Sequence, residues 1–233
     1  MSIVQLQDMT TNIGPYRILH NVSFEVPTGG VFVLLGRNGA GKTTTLRSIM
    51  GLWQTSPKSV FFKGKDISGL HTSEIARMGV AYVPENMGIF GGLTVEENLR
   101  LATTKGKFDK SRLSWVYQLF PALEKFWHTK AAALSGGQKQ MLSVARAVIE
   151  PRELILIDEP TKGLAPAIIA NMHDAFAEIS QTTTLILVEQ NFAFARSLGN
   201  QLAVIDDGCV AYTGSMNAFE SDAELQARLL GVA

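Results

Sequence analysis

Short apolar runs alternate with amphipathic stretches along most of this chain. Apolar runs rich in β-branched residues occur at Val31–Leu35, Leu154–Ile157 and Leu185–Val188. Runs of this length and composition are typical of buried parallel strands. Helical periodicity follows in segments such as 41–50 and 166–180. This alternation predicts an α/β fold with a mostly parallel sheet that helices cover on both faces.

The two ends of the chain depart from this alternation and predict antiparallel structure. Strand patterns at 3–8 and 22–26 are separated by the turn-rich segment 10–15. Near the other end, Asp207 and Gly208 form a turn signal between two further strand patterns, which predicts a hairpin. We therefore expect an antiparallel N-terminal β portion beside the parallel sheet.

The middle of the chain is mainly helical in its periodicity and shows no convincing strand pattern between Thr94 and Glu150. We interpret this stretch as a helical lobe inserted into the α/β core. The expected organisation is a single domain over 1–233. Its core would comprise 1–85 and 151–233, and a helical subdomain would occupy 86–150.

Charge and cysteine content narrow the function classes only slightly. The chain has 21 basic and 21 acidic residues, so its formal net charge is zero. Nucleic-acid-binding proteins usually have a basic excess, so this balance disfavours a nucleic acid partner. The single cysteine, Cys209, excludes an internal disulfide. No segment approaches the roughly 18 to 20 apolar residues that a membrane-spanning helix needs.

The first candidate for chemistry is the glycine-rich turn "GRNGAGKT" between a strand pattern and a helical pattern. Its spacing matches the phosphate-binding P-loop, in which backbone N–H groups and a helix N-terminus surround an anion. Lys42 would reach the β- and γ-phosphates as a catalytic residue, and the Thr43 hydroxyl would bind Mg²⁺. The alternative is a glycine-rich turn with a chance lysine. The residues predicted to contact nucleotide here are Asn38, Gly39, Ala40, Gly41, Lys42, Thr43 and Thr44.

A second candidate lies where the apolar strand pattern "LILI" ends in two acids, Asp158 and Glu159. Because unpaired buried charge is costly, two acids at the end of a buried strand indicate a functional role. Asp158 would hold Mg²⁺ through its water shell. Glu159 would lie beside the γ-phosphate and orient or deprotonate the attacking water. The alternative is an ordinary strand end with a solvated acidic pair.

The segment "LSGGQ" over 134–138 predicts a third functional feature. Ser135 can cap the helix that follows, and Gly136 and Gly137 expose backbone N–H groups at its start. This would be an anion site separate from the P-loop. Two half-sites for one phosphate favour a head-to-tail dimer in which each chain completes the other's site.

Together, "LSGGQ", "GRNGAGKT" and "LILIDEP" resemble, in this order, the motifs of ATP-binding cassette proteins, and the resemblance covers essentially the whole chain. The segments "AYVPENMGIFGGLTVEENL", "TKGLAPAIIANM" and "TLILVEQN" are similar to the second ATPase subunit of bacterial importers for branched-chain amino acids. Urea and short-chain amide importers carry similar subunits. The resemblance implies a P-loop NTPase core and an ATPase that binds ATP and Mg²⁺.

The resemblance also implies partners and a location. ATP would lie between one chain's P-loop and the signature residues of a second cassette, which is the same or a different chain. Transmembrane permease subunits would bind this pair, and a periplasmic solute-binding protein would act with them indirectly. The chain would then be peripheral, at the cytoplasmic face of the inner membrane. The signature residues implied in ATP contact are Ser135, Gly136, Gly137 and Gln138.

Two site positions depart from most cassettes. Glu85 stands where a glutamine usually senses Mg²⁺, and a carboxylate can still bind that ion; the alternative is a solvated loop acid. Gln190 stands where a histidine usually contacts the γ-phosphate. Glutamine donates a hydrogen bond but cannot carry a proton charge near neutral pH. We hypothesise that this catalytic position gives slower hydrolysis or mainly senses nucleotide.

Two further departures concern the dimer contact and the adenine contact. Lys162, Gly163, Leu164 and Ala165 replace the usual "SALD" stretch, which removes an aspartate that crosses the dimer. Spacing places Ile13 where an aromatic residue usually stacks on adenine, and Tyr16 is the nearest aromatic residue. Either Tyr16 stacks there or it is a packing residue and Ile13 supplies apolar contact.

Two other functions stay open on sequence alone. A soluble cassette ATPase that acts on nucleic acid or the ribosome usually carries a long coiled coil or two fused cassettes and a basic face, which this chain lacks. A purely structural or regulatory nucleotide binder is disfavoured by Glu159, because that carboxylate is placed for hydrolysis.

Overall fold

Strands and helices alternate along the chain, as the hydrophobic pattern predicts, and helices alone occupy 95–148 apart from one 3-10 turn. The computed structural model describes residues 1–231. The strands are β1 (Ser2–Ile13), β2 (Tyr16–Pro27), β3 (Val31–Leu35), β4 (Val60–Phe62), β5 (Lys65–Asp66), β6 (Val80–Val83), β7 (Leu154–Asp158), β8 (Thr184–Val188), β9 (Gln201–Asp206) and β10 (Cys209–Ser215). The α-helices are α1 (Lys42–Ile49), α2 (Thr72–Arg77), α3 (Val95–Leu101), α4 (Lys110–Leu119), α5 (Pro121–Lys125), α6 (Gly136–Val148), α7 (Pro166–Ile179), α8 (Phe192–Leu198), α9 (Met216–Glu220) and α10 (Ala223–Leu230).

The central feature is a six-stranded sheet in the order β10-β9-β3-β8-β7-β6. Its strands from β9 to β6 pair in parallel, and β10 adds antiparallel at one edge. Every residue of β3, β7 and β8 is buried, as expected for parallel strands between two covering layers. The sequence prediction of a mostly parallel sheet is confirmed, and so is the hairpin at Asp207 and Gly208.

A four-stranded antiparallel sheet in the order β2-β1-β4-β5 forms the predicted N-terminal β portion. Its first hairpin is longer than the sequence suggests. The segment 10–15, predicted as a turn, is strand up to Ile13, and only Gly14 and Pro15 separate β1 from β2. Thr11 pairs with Leu19 across this hairpin and lies buried against Ser48. β-branched Thr and Ile residues fit a half-buried pleated surface, which explains why polar residues continue the strand.

Two hydrophobic clusters cover the two faces of the parallel sheet. Strand β3 contributes to both, because successive side chains point to opposite faces. Val31, Val33 and Leu35 join the cluster with α6, α7 and the helical stretch, whereas Phe32 and Leu34 join the cluster with α1 and the antiparallel sheet. The helical stretch therefore shares one core with the sheet.

The helices of 95–148 begin with local capping that the sequence supplies. At α3, the Thr94 hydroxyl accepts from the Glu97 N–H at 3.2 Å, and the Glu97 carboxylate accepts from the Thr94 N–H at 2.7 Å. This reciprocal arrangement satisfies two donors at the helix start. The boundaries of a separate helical subdomain at 86–150 stay a prediction. Within residues 1–231, no helix combines the length and apolar character needed to cross a bilayer.

Candidate nucleotide-binding and hydrolysis site

The glycine-rich turn joins β3 to α1 with an unusual backbone that its glycines make possible. Gly36, Gly39 and Gly41 have φ values of 144°, 81° and 110°, in the region that disfavours other residues. A side chain at Gly36 would collide with the carbonyl oxygen of Ile205, and one at Gly41 would come within 2.7 Å of Leu19. No atom lies within 4 Å of a side-chain position at Gly39. Gly36 and Gly41 therefore permit close packing, whereas the position of Gly39 is open.

Lys42 is buried inside this turn rather than extended into solvent. Its Nζ donates to the carbonyl oxygens of Gly36 at 2.8 Å and Arg37 at 2.9 Å. Burial lowers the pKa of Lys42, and the carboxylates of Glu159 and Asp158 oppose that shift. An ammonium has three protons to donate, so the two carbonyls leave one for a ligand.

Asp158 ends β7 with a carboxylate that is fully buried and held at both oxygens. One oxygen accepts from the Thr43 hydroxyl at 2.9 Å, and the other accepts from the Tyr82 phenol at 3.0 Å. Burial raises the pKa of Asp158, and the two hydrogen bonds act in the opposite direction. The structure thus places together two of the three predicted magnesium ligands, Thr43 and Asp158.

Tyr82 is a site residue that sequence reasoning missed. Its phenol donates to Asp158, and burial together with the Asp158 charge raises the pKa of Tyr82 to about 12. Tyr82 therefore stays a neutral hydrogen-bond donor at physiological pH. Its presence in the otherwise apolar strand β6, beside the strand that ends in two acids, was the available signal.

Glu159 has a left-handed backbone, with φ of 47°. This conformation is strained for a non-glycine residue and is often found at functional sites. The Glu159 N–H donates to the Val188 carbonyl at 2.9 Å, and the Glu159 carboxylate accepts from the Gln190 amide at 2.5 Å. Glu159 and Gln190, two of the three predicted catalytic residues, follow different strands and therefore meet in the fold.

Glu85 and Glu159 are joined through Lys162, which the sequence marked only as a departure. The Lys162 ammonium donates to Glu85 at 2.6 Å and lies 3.3 Å from the Glu159 carboxylate. These carboxylates raise the pKa of Lys162. One oxygen of Glu85 is engaged in this ion pair. Binding of Mg²⁺ by Glu85 stays a prediction.

Glu189 is a second residue that sequence reasoning missed. It follows β8 directly and is buried, and its carboxylate accepts hydrogen bonds from Thr161, Gln190 and Asn191. Burial raises the pKa of Glu189 against the effect of these bonds. An acid at the end of an apolar strand was also the signal that identified Asp158, so the same reasoning could have found Glu189.

The signature segment begins α6 as predicted. The Ser135 hydroxyl accepts from the Gln138 N–H at 3.3 Å, and the Gln138 side chain accepts from the Ser135 N–H at 2.9 Å. Gly136 has open space around it, whereas Gly137 packs closely on Ile168 of α7. The Gln138 side chain thus serves the helix start, and contact of these four residues with ATP stays a prediction.

Tyr16 lies at the first position of β2 and pairs with Ile13 across the hairpin turn. It is 71% exposed. Its ring is therefore not part of the core, and its stacking on adenine stays a prediction.

A cavity of about 240 Å³ lies beside the P-loop, between that loop and the residues after β8. Gly36, Arg37, Asn38, Glu189 and Gln190 are among the residues that line it. Ala40 lies at the inner side of the loop, where its N–H donates to the Arg37 carbonyl at 3.2 Å. Of the other predicted contacts, Gly39 is exposed and Thr44 is half-buried.

The donor set fits Mg²⁺ bound together with phosphate. A hydroxyl and a carboxylate are hard oxygen ligands, and Mg²⁺ commonly takes one or two protein oxygens while phosphates and water supply the rest. No group of three or more His, Cys, Asp or Glu residues within 1–231 forms a cage that would hold a metal by protein ligands alone. The glycine-rich backbone at the start of α1 and the Lys42 ammonium likewise fit a phosphate group.

The glycine-rich turn that follows β3 and the two acids at the end of the parallel strand β7 define this chain as a P-loop nucleotide hydrolase. The family model described as "ABC transporter" matches residues 19–162. The chain is 34% identical over 233 residues to the high-affinity branched-chain amino acid transport ATP-binding protein BraG of Pseudomonas aeruginosa, covering 98% of this chain and 100% of that protein. The chain belongs to the ABC transporter family, as an ATP-binding cassette that binds and hydrolyses ATP.

A second relative and a solved structure agree with this assignment. The probable branched-chain amino acid transport ATP-binding protein LivF of Archaeoglobus fulgidus is 32% identical, over 92% of this chain and 93% of that protein. A crystal structure of a nucleotide-free ATP-binding cassette from an ABC transporter matches with a TM-score of 0.83 at 21% identity, covering 100% of both chains. The predicted fold class is therefore confirmed.

Proposed function

We propose that this chain is the ATP-hydrolysing subunit of an importer for branched-chain or related amino acids. Similarity over nearly the full length to BraG and LivF, whose names state that transport, supports this proposal. The proposed partners are a second cassette, identical or not, transmembrane permease subunits and, indirectly, a periplasmic solute-binding protein. The proposed location is the cytoplasmic face of the inner membrane. The zero net charge disfavours the alternative of a soluble cassette acting on nucleic acid or the ribosome.

The proposed hydrolysis mechanism is supported by the hydrogen bond from Thr43, which follows the P-loop glycines, to Asp158 at the end of β7. The glycine turn and Lys42 would hold the phosphates of ATP, with backbone N–H groups and the ammonium offsetting their charge. Thr43 and Asp158 would hold Mg²⁺, with Glu85 as a further candidate ligand. When bound, Mg²⁺ would supply charge neutralisation at the phosphates.

Glu159 is the proposed general base. Its carboxylate would orient a water and accept its proton while the water oxygen bonds to the γ-phosphorus. The bond between that phosphorus and the β–γ bridging oxygen breaks, which yields ADP and inorganic phosphate. The Gln190 amide would hold the Glu159 carboxylate in this position, as its hydrogen bond to Glu159 suggests. Because an amide cannot relay a proton, we propose slower hydrolysis at this site than at one with histidine.

The other half of each site is proposed to come from a second cassette. Ser135, Gly136, Gly137 and Gln138 of that chain would face the ATP held by this P-loop, with Tyr16 beside the adenine. The helical subdomain at 86–150 would carry these signature residues as the two chains close over ATP and reopen after hydrolysis. Such motion would shift the permease between conformations.

Glu159→Gln tests the proposed base directly. This change keeps the size of the side chain but removes its ability to accept a proton, so ATP hydrolysis is expected to fall by at least about 100-fold. ATP affinity, measured with a fluorescent ATP analogue, is expected to stay within about threefold, because the P-loop is intact. Glu224→Gln, on an exposed helix position, is the matched control. Hydrolysis by Glu159→Gln at the control's rate would contradict the proposal.

Transport itself is tested by assembly. The full chain is co-expressed with the second cassette and two permeases encoded beside it, and the complex is reconstituted in liposomes with the neighbouring binding protein. Leucine, isoleucine or valine is expected to stimulate ATP hydrolysis and to enter the liposomes. Stimulation by nucleic acid or ribosomes without such a complex would favour the alternative function.

A further inference from the structure

Glu189 is a buried carboxylate to which the proposed hydrolysis mechanism gives no role. It lies at the end of β8 and is 2% exposed. Holding a charged group away from water is costly unless hydrogen bonds compensate. Four donors form hydrogen bonds to this carboxylate, so both of its oxygens are paired. An apolar side chain at this position would be buried at a lower cost.

The four donors divide between two loops. One oxygen of Glu189 accepts from the N–H and the hydroxyl of Thr161, at 3.1 and 2.7 Å. The other oxygen accepts from the N–H groups of Gln190 and Asn191, at 3.0 and 3.1 Å. One planar group therefore joins the loop after β7 to the loop after β8. These are the two loops that carry Glu159 and Gln190.

Further bonds close this arrangement into a ring. The Gln190 amide donates to the Glu159 carboxylate, and the Lys162 N–H donates to the Glu159 carbonyl at 3.3 Å. Thr161 lies between these last two residues in sequence. Gln190 contacts Glu189 through its backbone N–H and Glu159 through its side-chain amide, so moving the Gln190 backbone away from Glu159 would stretch its bond to Glu189 at the same time.

We propose that Glu189 is a positioning residue that holds the Gln190 side-chain amide against the Glu159 carboxylate. It also links movement of the loop after β8 to the segment 161–163. This inference rests on the proposed catalytic roles of Glu159 and Gln190. Lys162 and Gly163, the next residues of that segment, are exposed. Glu189 thus provides a buried connection between the hydrolysis site and an exposed segment.

The geometry requires a glutamate at this position. All four partners are donors, so both oxygens must accept. A glutamine would present an NH₂ group to one of the two loops, where donor would face donor. An aspartate is one methylene shorter and could not reach both loops at the present distances. Glu189→Gln therefore breaks one side of the connection while it keeps the side-chain volume.

A double-mutant cycle on the full chain tests the proposal. Glu189→Gln is expected to lower kcat for ATP hydrolysis by about fivefold or more, and KM for ATP is expected to change by less than about twofold. Gln190→Ala removes the amide that Glu189 positions. In the Gln190→Ala background, Glu189→Gln is expected to cause no further loss of kcat, because the two changes interrupt one path.

The outcomes separate this inference from the proposed function. An unchanged kcat in Gln190→Ala would contradict the proposed role of Gln190. A lowered kcat in Gln190→Ala together with multiplied losses in the double variant would overturn the positioning role of Glu189 and leave that of Gln190 intact. An unchanged kcat in Glu189→Gln would also overturn the positioning role of Glu189.

Thr161 supplies a milder test from the opposite loop. Thr161→Val removes the hydroxyl donor but keeps the N–H and the branched shape, and it is expected to lower kcat by about two- to threefold. Thr161→Ser restores the hydroxyl and is expected to recover most of that loss. Equal kcat values for the valine and serine variants would overturn the proposal, even if Glu189→Gln fails to fold.

Discussion

Asp158 and Glu159 are neighbours in the chain, yet the fold gives them opposite surroundings. Asp158 is fully buried and receives hydroxyl donors at both oxygens, so its position is fixed. Glu159 contacts an amide and an ammonium, and its side chain remains 10% exposed. A fixed carboxylate suits a metal ligand, and one with access to water suits a general base. Neither property follows from residue type alone.

At the residue scale, Tyr82→Phe tests how Asp158 is oriented. The change removes the phenol donor and keeps the ring, so Asp158 loses one of its two hydrogen bonds. Partners that orient metal ligands commonly contribute about 10-fold or more to metal affinity. We expect the Mg²⁺ concentration for half-maximal ATP hydrolysis to rise by about three- to tenfold, and the stabilisation by Mg²⁺ and ATP in thermal unfolding to fall.

Tyr117→Phe is the matched control for this variant, because it removes a phenol oxygen from the helical stretch, where Tyr117 packs against Trp127. Equal Mg²⁺ dependence in both variants would show that Tyr82 does not orient the metal site.

The raised pKa of Glu189 also predicts how the stability of the protein depends on pH. Its pKa is raised in the folded protein, mainly by burial, so protonation of this group favours the folded state. Its contribution to stability is therefore present at pH values below its unfolded pKa and is lost as pH rises through the folded pKa. Glu189→Gln lacks this contribution. The free energy of unfolding of the wild type minus that of Glu189→Gln should thus decrease from about pH 4.5 upward.

Urea unfolding of both proteins at a series of pH values measures this difference. A difference that grows with pH would show that the four hydrogen bonds to Glu189 outweigh the effect of burial.

At the scale of single elements, most predictions from sequence hold, because they depend on residues close together in the chain. The apolar runs correspond to β3, β7 and β8, and the Ser135 cap begins α6 as expected. The first hairpin is where local reasoning was wrong. Thr10–Ile13 has turn-forming composition, but tertiary burial of Thr11 against Ser48 extends the strand.

The two glycines that begin α6 have different packing and should respond differently to alanine. A methyl group at Gly137 would lie 2.9 Å from Ile168, so Gly137→Ala is expected to destabilise the fold by about 1–3 kcal/mol through overpacking. Gly136 has open space around it, and alanine favours helix by about 1 kcal/mol over glycine. Gly136→Ala is therefore expected to be neutral or stabilising.

Thermal and urea unfolding of these two variants compare the same substitution at adjacent positions. Equal stabilities would show that α6 does not pack on Ile168 as the structure has it.

At the scale of the whole molecule, one chain presents half of the proposed ATP site at the P-loop and the other half at the start of α6. With Glu159→Gln, ATP would persist because hydrolysis is blocked. We expect this variant, with ATP, to form a species of twice the monomer mass in light scattering, alone or with its partner cassette. Adding Ser135→Arg, which places a bulky cation at the proposed contact, should abolish that species. A mass unaffected by ATP in every combination would contradict the closed dimer.

By itself, the sequence determined the features that depend on neighbours along the chain. The P-loop spacing, the buried strands, the cap of α6 and the acidic end of β7 all follow from local composition and period. These were enough for the fold class and for a nucleotide phosphate as the ligand, and the resemblance to ATP-binding cassettes identified that nucleotide as ATP. Parallel strands bring their carboxyl ends to one edge of a sheet, whatever the order of the strands, so the P-loop and the acidic end of β7 share that edge.

Only the tertiary structure decided which side chains meet at that edge. The order β3-β8-β7-β6 places the P-loop after β3, Glu189 after β8, Glu159 after β7 and Tyr82 within β6. Contacts such as Tyr82 with Asp158 or Glu189 with Thr161 join residues far apart in the chain, so no local pattern encodes them. Glu159 likewise has a left-handed backbone that its residue type does not predict. The proposed hydrolysis site is therefore a product of packing across strands.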